Sequence, residues 1–404
     1  MIVAKSFVER FFIIFSIGFV ISFPFPFFVI PNVGGFLATY FISINQFWGG
    51  LFNVDSVGTV FEIVSDSTGL YLHLINLLIF SSGLSLIWIV KSKVIHPNIK
   101  RYFRIGIAYY LALILFKYGF DKIFKHQFYF PEPNTLYTPL NQLSKDILFW
   151  SSMGTSYLYS VFSGLIEVIP ACFLLFRKTR LLGGLIAMAV LINVVMLNFG
   201  FDISVKVFSI FLLLLAFFII SKDSKRLYHV FTNQKVDGIK DNVFVLQSKN
   251  DLLKYALVKS LVICLFLFES IGPYVKIQNF NDDNSIKPYL FGAYDVVNHK
   301  KDSKSIKRVF FHKQQYFITQ LMDDSFESYK VQFSADLSKI YLTNSFHESK
   351  IMSLDIKYNK SSKILRIDGV FNQKEIHLQT EKIDLSTLPI SNDSYMWNFD
   401  GYIK

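Results

Sequence analysis

Glu167 sits in the middle of an apolar run. Residues 155–176 contain no other Asp, Glu, Lys or Arg. An ionisable side chain in hydrocarbon is costly and marks a functional position by default. Glu167 is therefore a candidate proton-relay or ligand-binding carboxylate. Its plainer role is a protonated carboxyl that hydrogen-bonds between helices. Asn193, in the run 181–201, would lie within roughly 6 Å of the same depth at 1.5 Å rise per residue. It is the expected hydrogen-bond partner of Glu167.

A second cluster falls at the end of another run. Lys117 and Asp121 are spaced i, i+4, with Lys122 and Lys125 beyond. This spacing suits a local ion pair with snorkelling lysines. The sharper reading is a cationic site for an anionic headgroup or substrate, with Asn198 and Asp202 lining the same mouth. Asn193 and Asn198 are five residues apart, about 140° around a helix, so they do not face one point. His73 lies inside a run and His126 just past one, too loose a pair for a bis-histidine haem. No metal spacing, nucleotide fingerprint or hydrolase elbow occurs. Cys172 and Cys264 lie in different runs and form no Cys-x-x-Cys, so there is no dithiol pair for disulfide chemistry.

The elements that must position these residues are membrane helices. Of the 404 residues, 52% are hydrophobic and 18% charged, too apolar for a soluble chain of this length. Seven stretches approach the roughly 20 residues that cross a bilayer: 9–28, 70–90, 103–121, 155–176, 181–201, 204–221 and 254–272. The formal charge of +11 is an orientation signal, since residues 273–404 carry 18 Lys/Arg against 16 Asp/Glu. The loop 29–69 has no Lys or Arg, only Asp55, Glu62 and Asp66. Lys91, Lys93, Lys100, Arg101 and Arg104 crowd the next connection, Arg177-Lys-Thr-Arg a later turn, and loop 222–253 is basic. Basic loops stay cytoplasmic. The expected topology has the N-terminus inside, seven spans and residues 273–404 outside. A nucleic-acid partner is not expected; the bilayer is.

The connections carry their own signals. Loop 29–69, broken by Asn45, Gln46 and glycines, reads as an interfacial helix with aromatic anchors at Trp48, Phe52 and Phe61. Residues 128–150, with Pro131 and Pro133, read as an aromatic boundary segment without helix at the prolines, or as a lid. The short link between 155–176 and 181–201 makes an antiparallel hairpin. The small pairs Ser160/Gly164 and Gly183/Ala187 permit close helix approach.

Two of these blocks resemble a known family. Phe116-Lys-Tyr-Gly-Phe-Asp-Lys122 is similar to the G-x-x-K signature of DoxX-like membrane proteins. Glu167, with Leu174-Leu175 and the basic turn Arg177-Lys-Thr-Arg, resembles that family's E-x-x-x-x-x-x-L-L motif. The resemblance covers a four-helix core at 103–221, preceded by extra helices in 1–102. Longer bacterial members share the F-P-x-P loop, here Phe130-Pro-Glu-Pro, and a soluble tail. The resemblance implies a bacterial cytoplasmic-membrane protein and carries Gly119, Lys122 and Glu167 as site positions. Some relatives are subunits of thiosulfate–quinone oxidoreductase, others accompany membrane redox complexes and others have no known activity, so the resemblance allows a quinone as cofactor without specifying one.

Beyond Tyr289, short alternating runs recur every 8–12 residues: 289–297, 309–312, 316–321, 329–333, 340–342, 351–358, 364–370 and 375–379. This predicts an all-β domain, an antiparallel meander closing into a lipocalin-like barrel. Such a barrel is either a solid docking domain or a holder for one apolar small molecule. Tyr395, Trp397 and Tyr402 are expected to close or anchor it. Two functions stay open: a subunit or accessory of a quinone-linked membrane redox complex, and a non-enzymatic envelope protein that binds a lipid or apolar ligand or scaffolds an assembly.

Overall fold

The computed structural model describes residues 2–54, 65–235, 249–297, 305–344 and 351–391. Asp55, Glu62, Phe61, Tyr395, Trp397 and Tyr402 lie outside the described residues. The chain forms two compact units: Met1–Gln127 with Val161–Phe280, and Phe128–Ser160 with Asn281–Lys404.

The first unit is helical. Its elements are α1 (Ile2–Ser22), α2 (Val33–Phe52), α3 (Thr68–Lys91) and α4 (Pro97–Ile123). After two short helices that belong to the second unit, α5 (Pro133–Leu136) and α6 (Lys145–Gly154), come α7 (Tyr157–Leu174), α8 (Arg180–Gly200), α9 (Lys206–Ser221), α10 (Ser224–Phe231) and α11 (Lys249–Ile277). Helix starts follow local chemistry. Asn32 caps α2 by accepting from Gly35 N, and Ser67 caps α3 by accepting from Leu70 N. Pro97 opens α4, where a missing N–H does no harm.

Among the described residues, four helices, α3, α4, α7 and α8, are long and apolar enough to cross a membrane. The pair α9–α10, bent by 76°, would make a fifth. Large apolar side chains such as Phe80, Leu86, Ile87, Phe162, Met196 and Phe217 are exposed on the helices, a surface suited to hydrocarbon rather than water. α1 runs antiparallel to α9 along a ladder of stacked rings: Phe12 on Phe218, Phe19 on Phe211, and Phe23 on Phe208. α7 and α8 meet at their connecting turn, and α8 packs along α9. A Cβ on Gly183 would lie 2.8 Å from Leu174 N, and one on Gly184 2.8 Å from Ile220 of α9.

The second unit contains a closed barrel of eight antiparallel strands, each paired with its neighbours in sequence and the first with the last. They are β1 (Gly292–Val296), β2 (Ile306–Phe311), β3 (Tyr316–Leu321), β4 (Phe326–Phe333), β5 (Lys339–Asn344), β6 (Ile351–Asn359), β7 (Ile364–Phe371) and β8 (Lys374–Lys382). Closure pairs Tyr294 with Lys382 and Val296 with Thr380. Alternation fills the interior: Tyr329 and Val331, Leu354 and Ile356, Leu365 and Ile367 point in, with exposed residues between. With Tyr294, Phe311, Phe317 and Phe371 they form one apolar cluster, so the barrel is packed with side chains.

Residues 128–160 belong with the barrel rather than standing alone as a boundary segment. Tyr137 packs with Phe310, Ala293 and Phe326 on the barrel's outer face. The Arg308 guanidinium lies 4.5 Å from the Tyr137 ring centre. Pro133 does not exclude helix; it opens the four-residue α5. Glu132 accepts from Lys313 N at 3.2 Å and lies 3.7 Å from His312 Nε2. Burial raises the Glu132 carboxyl above its usual range, against the pull of Lys313. Burial, and then Lys313, lowers His312 to about 4.

Candidate functional site: a buried ion-pair network on α4

The C-terminal half of α4 carries the polar groups, and their partners come from α7 and α11. Lys117 and Asp121 share one face of α4, while Lys122 is turned about 100° from Asp121. The helix therefore serves two neighbours.

Toward α7, Lys122 Nζ donates to both carboxylate oxygens of Glu167 at 3.0 and 2.8 Å. Both side chains are less than a tenth exposed. The same ammonium lies 5.4 Å from the Tyr118 ring centre, a cation–π contact. The pair is reached because the backbones nearly touch one turn away. A Cβ on Gly119 would lie 2.7 Å from Val168 Cγ2 and 2.9 Å from Gly164 O, and one on Gly164 would collide with Gly119 O. Small residues let α4 and α7 approach closely enough for Lys122 to span the gap.

Toward α11, Lys117 Nζ lies 3.3 Å from Glu269 Oε1. Glu269 is fully buried and also accepts from the amides of Phe28, Val29 and Ile30. One carboxylate thus holds the turn after α1 against both α4 and α11. Asp121 accepts from the Tyr274 hydroxyl. His126 packs on the Tyr274 ring, with Nε2 3.2 Å from Asn279 O.

Several expected pairings are replaced. Lys117 and Asp121 do not pair locally as expected; each reaches a tertiary partner on α11. Glu167 takes Lys122, while Asn193 lies on the exposed face of α8. Asn198 and Asp202 do not join Lys117. Asn198 Nδ2 reaches Val205 O at 3.5 Å, and Asp202, with left-handed backbone at φ 57°, holds Lys206 at 2.8 Å. They shape the α8–α9 corner, where Asp66 accepts from Lys206 N and Val207 N at 2.7 and 3.0 Å. His73 meets Ser22 Oγ at 2.7 Å and the Phe41 ring, a polar contact between α1 and α3.

Glu269 was missed among the sequence candidates, although it lies inside the run 254–272. The rule that picked out Glu167, an acid in an apolar run, applies to it equally. Arg10 was missed for the same reason; it is fully buried, donates to Ser92 O at 2.6 Å and covers the Trp88 ring.

The arrangement can hold a proton between two buried groups. Loss of either partner would leave an unpaired charge in a low-dielectric site, which is costly. Among the described residues no cluster of His, Cys, Asp and Glu is suited to a metal ion.

No family model and no solved structure matches the chain. The chain is 28% identical over 146 residues to YwoB of Bacillus subtilis (strain 168), described as uncharacterized; the match covers 36% of this chain and 90% of that protein.

Proposed function

We propose that this chain is a DoxX-like protein of the bacterial cytoplasmic membrane, acting as a subunit or accessory of a quinone-linked redox system. The Lys122–Glu167 pair handles a proton beside the quinone headgroup. The observation that carries this reading is convergence. Gly119, Lys122 and Glu167, the three positions carried over by the resemblance, meet at one α4–α7 crossing and form a buried ion pair there. Such a pair is costly to desolvate and gives little net stability, which favours a role beyond packing.

The proposal includes seven spans, α1, α3, α4, α7, α8, α9 and α11, with the N-terminus cytoplasmic and the barrel outside. In support, α11 runs parallel to α4. Tyr109 meets Phe266, Lys117 meets Glu269 and Asp121 meets Tyr274 in ascending order. Residues 128–160 pack on the barrel, so an even number of crossings separates them from it. α7 and α8 supply two, so α9 and α11 cross together or not at all.

The test is extraction of purified protein for bound quinone, repeated with Glu167→Gln. Stoichiometric quinone in the wild type that falls at least tenfold in a folded Glu167→Gln protein is expected. Absence of quinone, with co-purifying phospholipid only, would remove the redox reading. A second reading is a non-enzymatic envelope scaffold. The filled barrel interior favours it, since a packed barrel presents outer surfaces for docking rather than a ligand cavity.

A further inference from the structure

Side chains pack the barrel's interior, and a cleft lies at one of its ends. A cleft of about 380 Å³ opens where β1 begins, β6 turns into β7 and β8 ends. Lys360, Lys363 and Lys382 line it, with Phe291, Tyr358 and Leu385 supplying apolar walls. None of the three lysines makes a salt bridge among the described residues. The acid in the lining, Asp384, accepts from Ser386 N and Oγ.

This gathering of charge is held by the fold. Lys382 N, at the end of β8, donates to Lys363 O, in the turn just before β7, at 3.0 Å, which brings the two lysines side by side. The Lys382 side chain lies over the Tyr294 ring at 5.7 Å. It lies over Gly292, whose φ of 140° is one that other residues rarely adopt. Burial, and then the charge of Lys363, lowers the Lys382 pKa, against the opposing charge of Asp384. Three lysines against the one acid of the lining leave this half-enclosed cleft with surplus positive charge, which a bound anion would relieve.

We propose that this cleft binds a phosphate ester. The three ammonium groups take the phosphate oxygens as point charges, and Phe291, Tyr358 and Leu385 flank the organic body. The volume exceeds what a bare phosphate fills, so a substituent of glycerol or small-sugar size is accommodated. Such a group is found on a soluble metabolite or on an anionic lipid headgroup. This site is independent of the ion-pair network on α4.

The test uses the full chain in neutral maltoside detergent, titrated with glycerol 1-phosphate and, separately, with dihexanoyl phosphatidylglycerol. Dihexanoyl phosphatidylcholine is the control. The expected result is saturable binding of at least one anionic probe, weakened at least tenfold by Lys363→Ala/Lys382→Ala and weakened by added salt. Binding of both probes assigns a free phosphate ester, and binding of phosphatidylglycerol alone assigns a lipid headgroup. Lys382 is partly buried, so Lys360→Ala/Lys363→Ala, both exposed, serves if the first variant melts early. The proposal is overturned if neither anionic probe binds, if both lysine variants bind as the wild type does, or if phosphatidylcholine competes equally.

Discussion

Lys122 Nζ donates to both oxygens of Glu167, 3.0 and 2.8 Å away, across the closest backbone approach between α4 and α7. A buried pair of this kind is asymmetric in its energetics. Removing one partner strands the other charge, at a cost of about 3–5 kcal/mol, while replacing both with apolar groups is often neutral or stabilising. Glu167→Ala and Lys122→Ala are each expected to lower the melting temperature in detergent strongly. Lys122→Met/Glu167→Leu should recover most of that loss. If the double variant melts as early as the single ones, the pair is structural in a way this energetics does not describe.

Gly164 has no room for a methyl group, because Gly119 O occupies the space. Gly164→Ala should force α4 and α7 apart and destabilise by about 1–3 kcal/mol, the usual penalty of overpacking. The separation would also lengthen the Lys122–Glu167 contact. A double-mutant cycle with Glu167→Ala should therefore show coupling of ~0.5 kcal/mol or more. Additive effects would mean that the glycines do not set the ion-pair geometry.

Glu269 accepts from three consecutive amides, Phe28, Val29 and Ile30, and faces Lys117. Glu269→Gln keeps the shape but loses the charge, and a charged acceptor contributes about 1.5–3 kcal/mol per bond. Faster amide exchange at residues 28–30 and a lower melting temperature are expected. Unchanged protection of those amides would show that the turn holds without the carboxylate.

The acid behaviour of the barrel unit should carry the signature of His312. Its folded pKa, about 4, lies below the ordinary 6.5 because of burial and Lys313. The stability it contributes is present above 6.5 and is lost as pH falls through that window toward 4. Glu132 acts in the opposite sense. Its raised pKa means that its contribution is fully present below the ordinary carboxylate range and is lost as pH rises through the folded value. His312→Gln should flatten the loss of stability between pH 6.5 and 4, read by thermal melts of the full chain. Melts of wild type and variant that stay parallel across that range would exclude His312 as the cause.

Local patterns were legible in the sequence and tertiary partners were not. All eight strands overlap the alternating runs of the sequence, because a half-buried strand writes its period directly into residue order. Helices α3, α4, α7 and α8 follow apolar length in the same way. Lys117 and Asp121 show where such reading stops. Spacing of i, i+4 makes them neighbours on an isolated helix, but that pairing is worth only about 0.2–0.5 kcal/mol. Burial against α11, some 150 residues later in the chain, supplies Glu269 and Tyr274 instead. No local period could have announced those partners. Counting residues sets Asn193 within roughly 6 Å of the depth of Glu167, but depth fixes only one coordinate, and Asn193 lies on the exposed face of α8.

The pairing of β1 with β8 has a consequence for biosynthesis. During synthesis, β1 acquires β2 early but waits for residues 380–382 before its other edge is occupied. Until then the nascent sheet has two open edges and an uncovered row of aromatic side chains, a form prone to pairing with other chains. Barrel folding is therefore a late event, gated by the emergence of β8. A ribosome stalled upstream of Lys374 would hold a sticky, unclosed sheet.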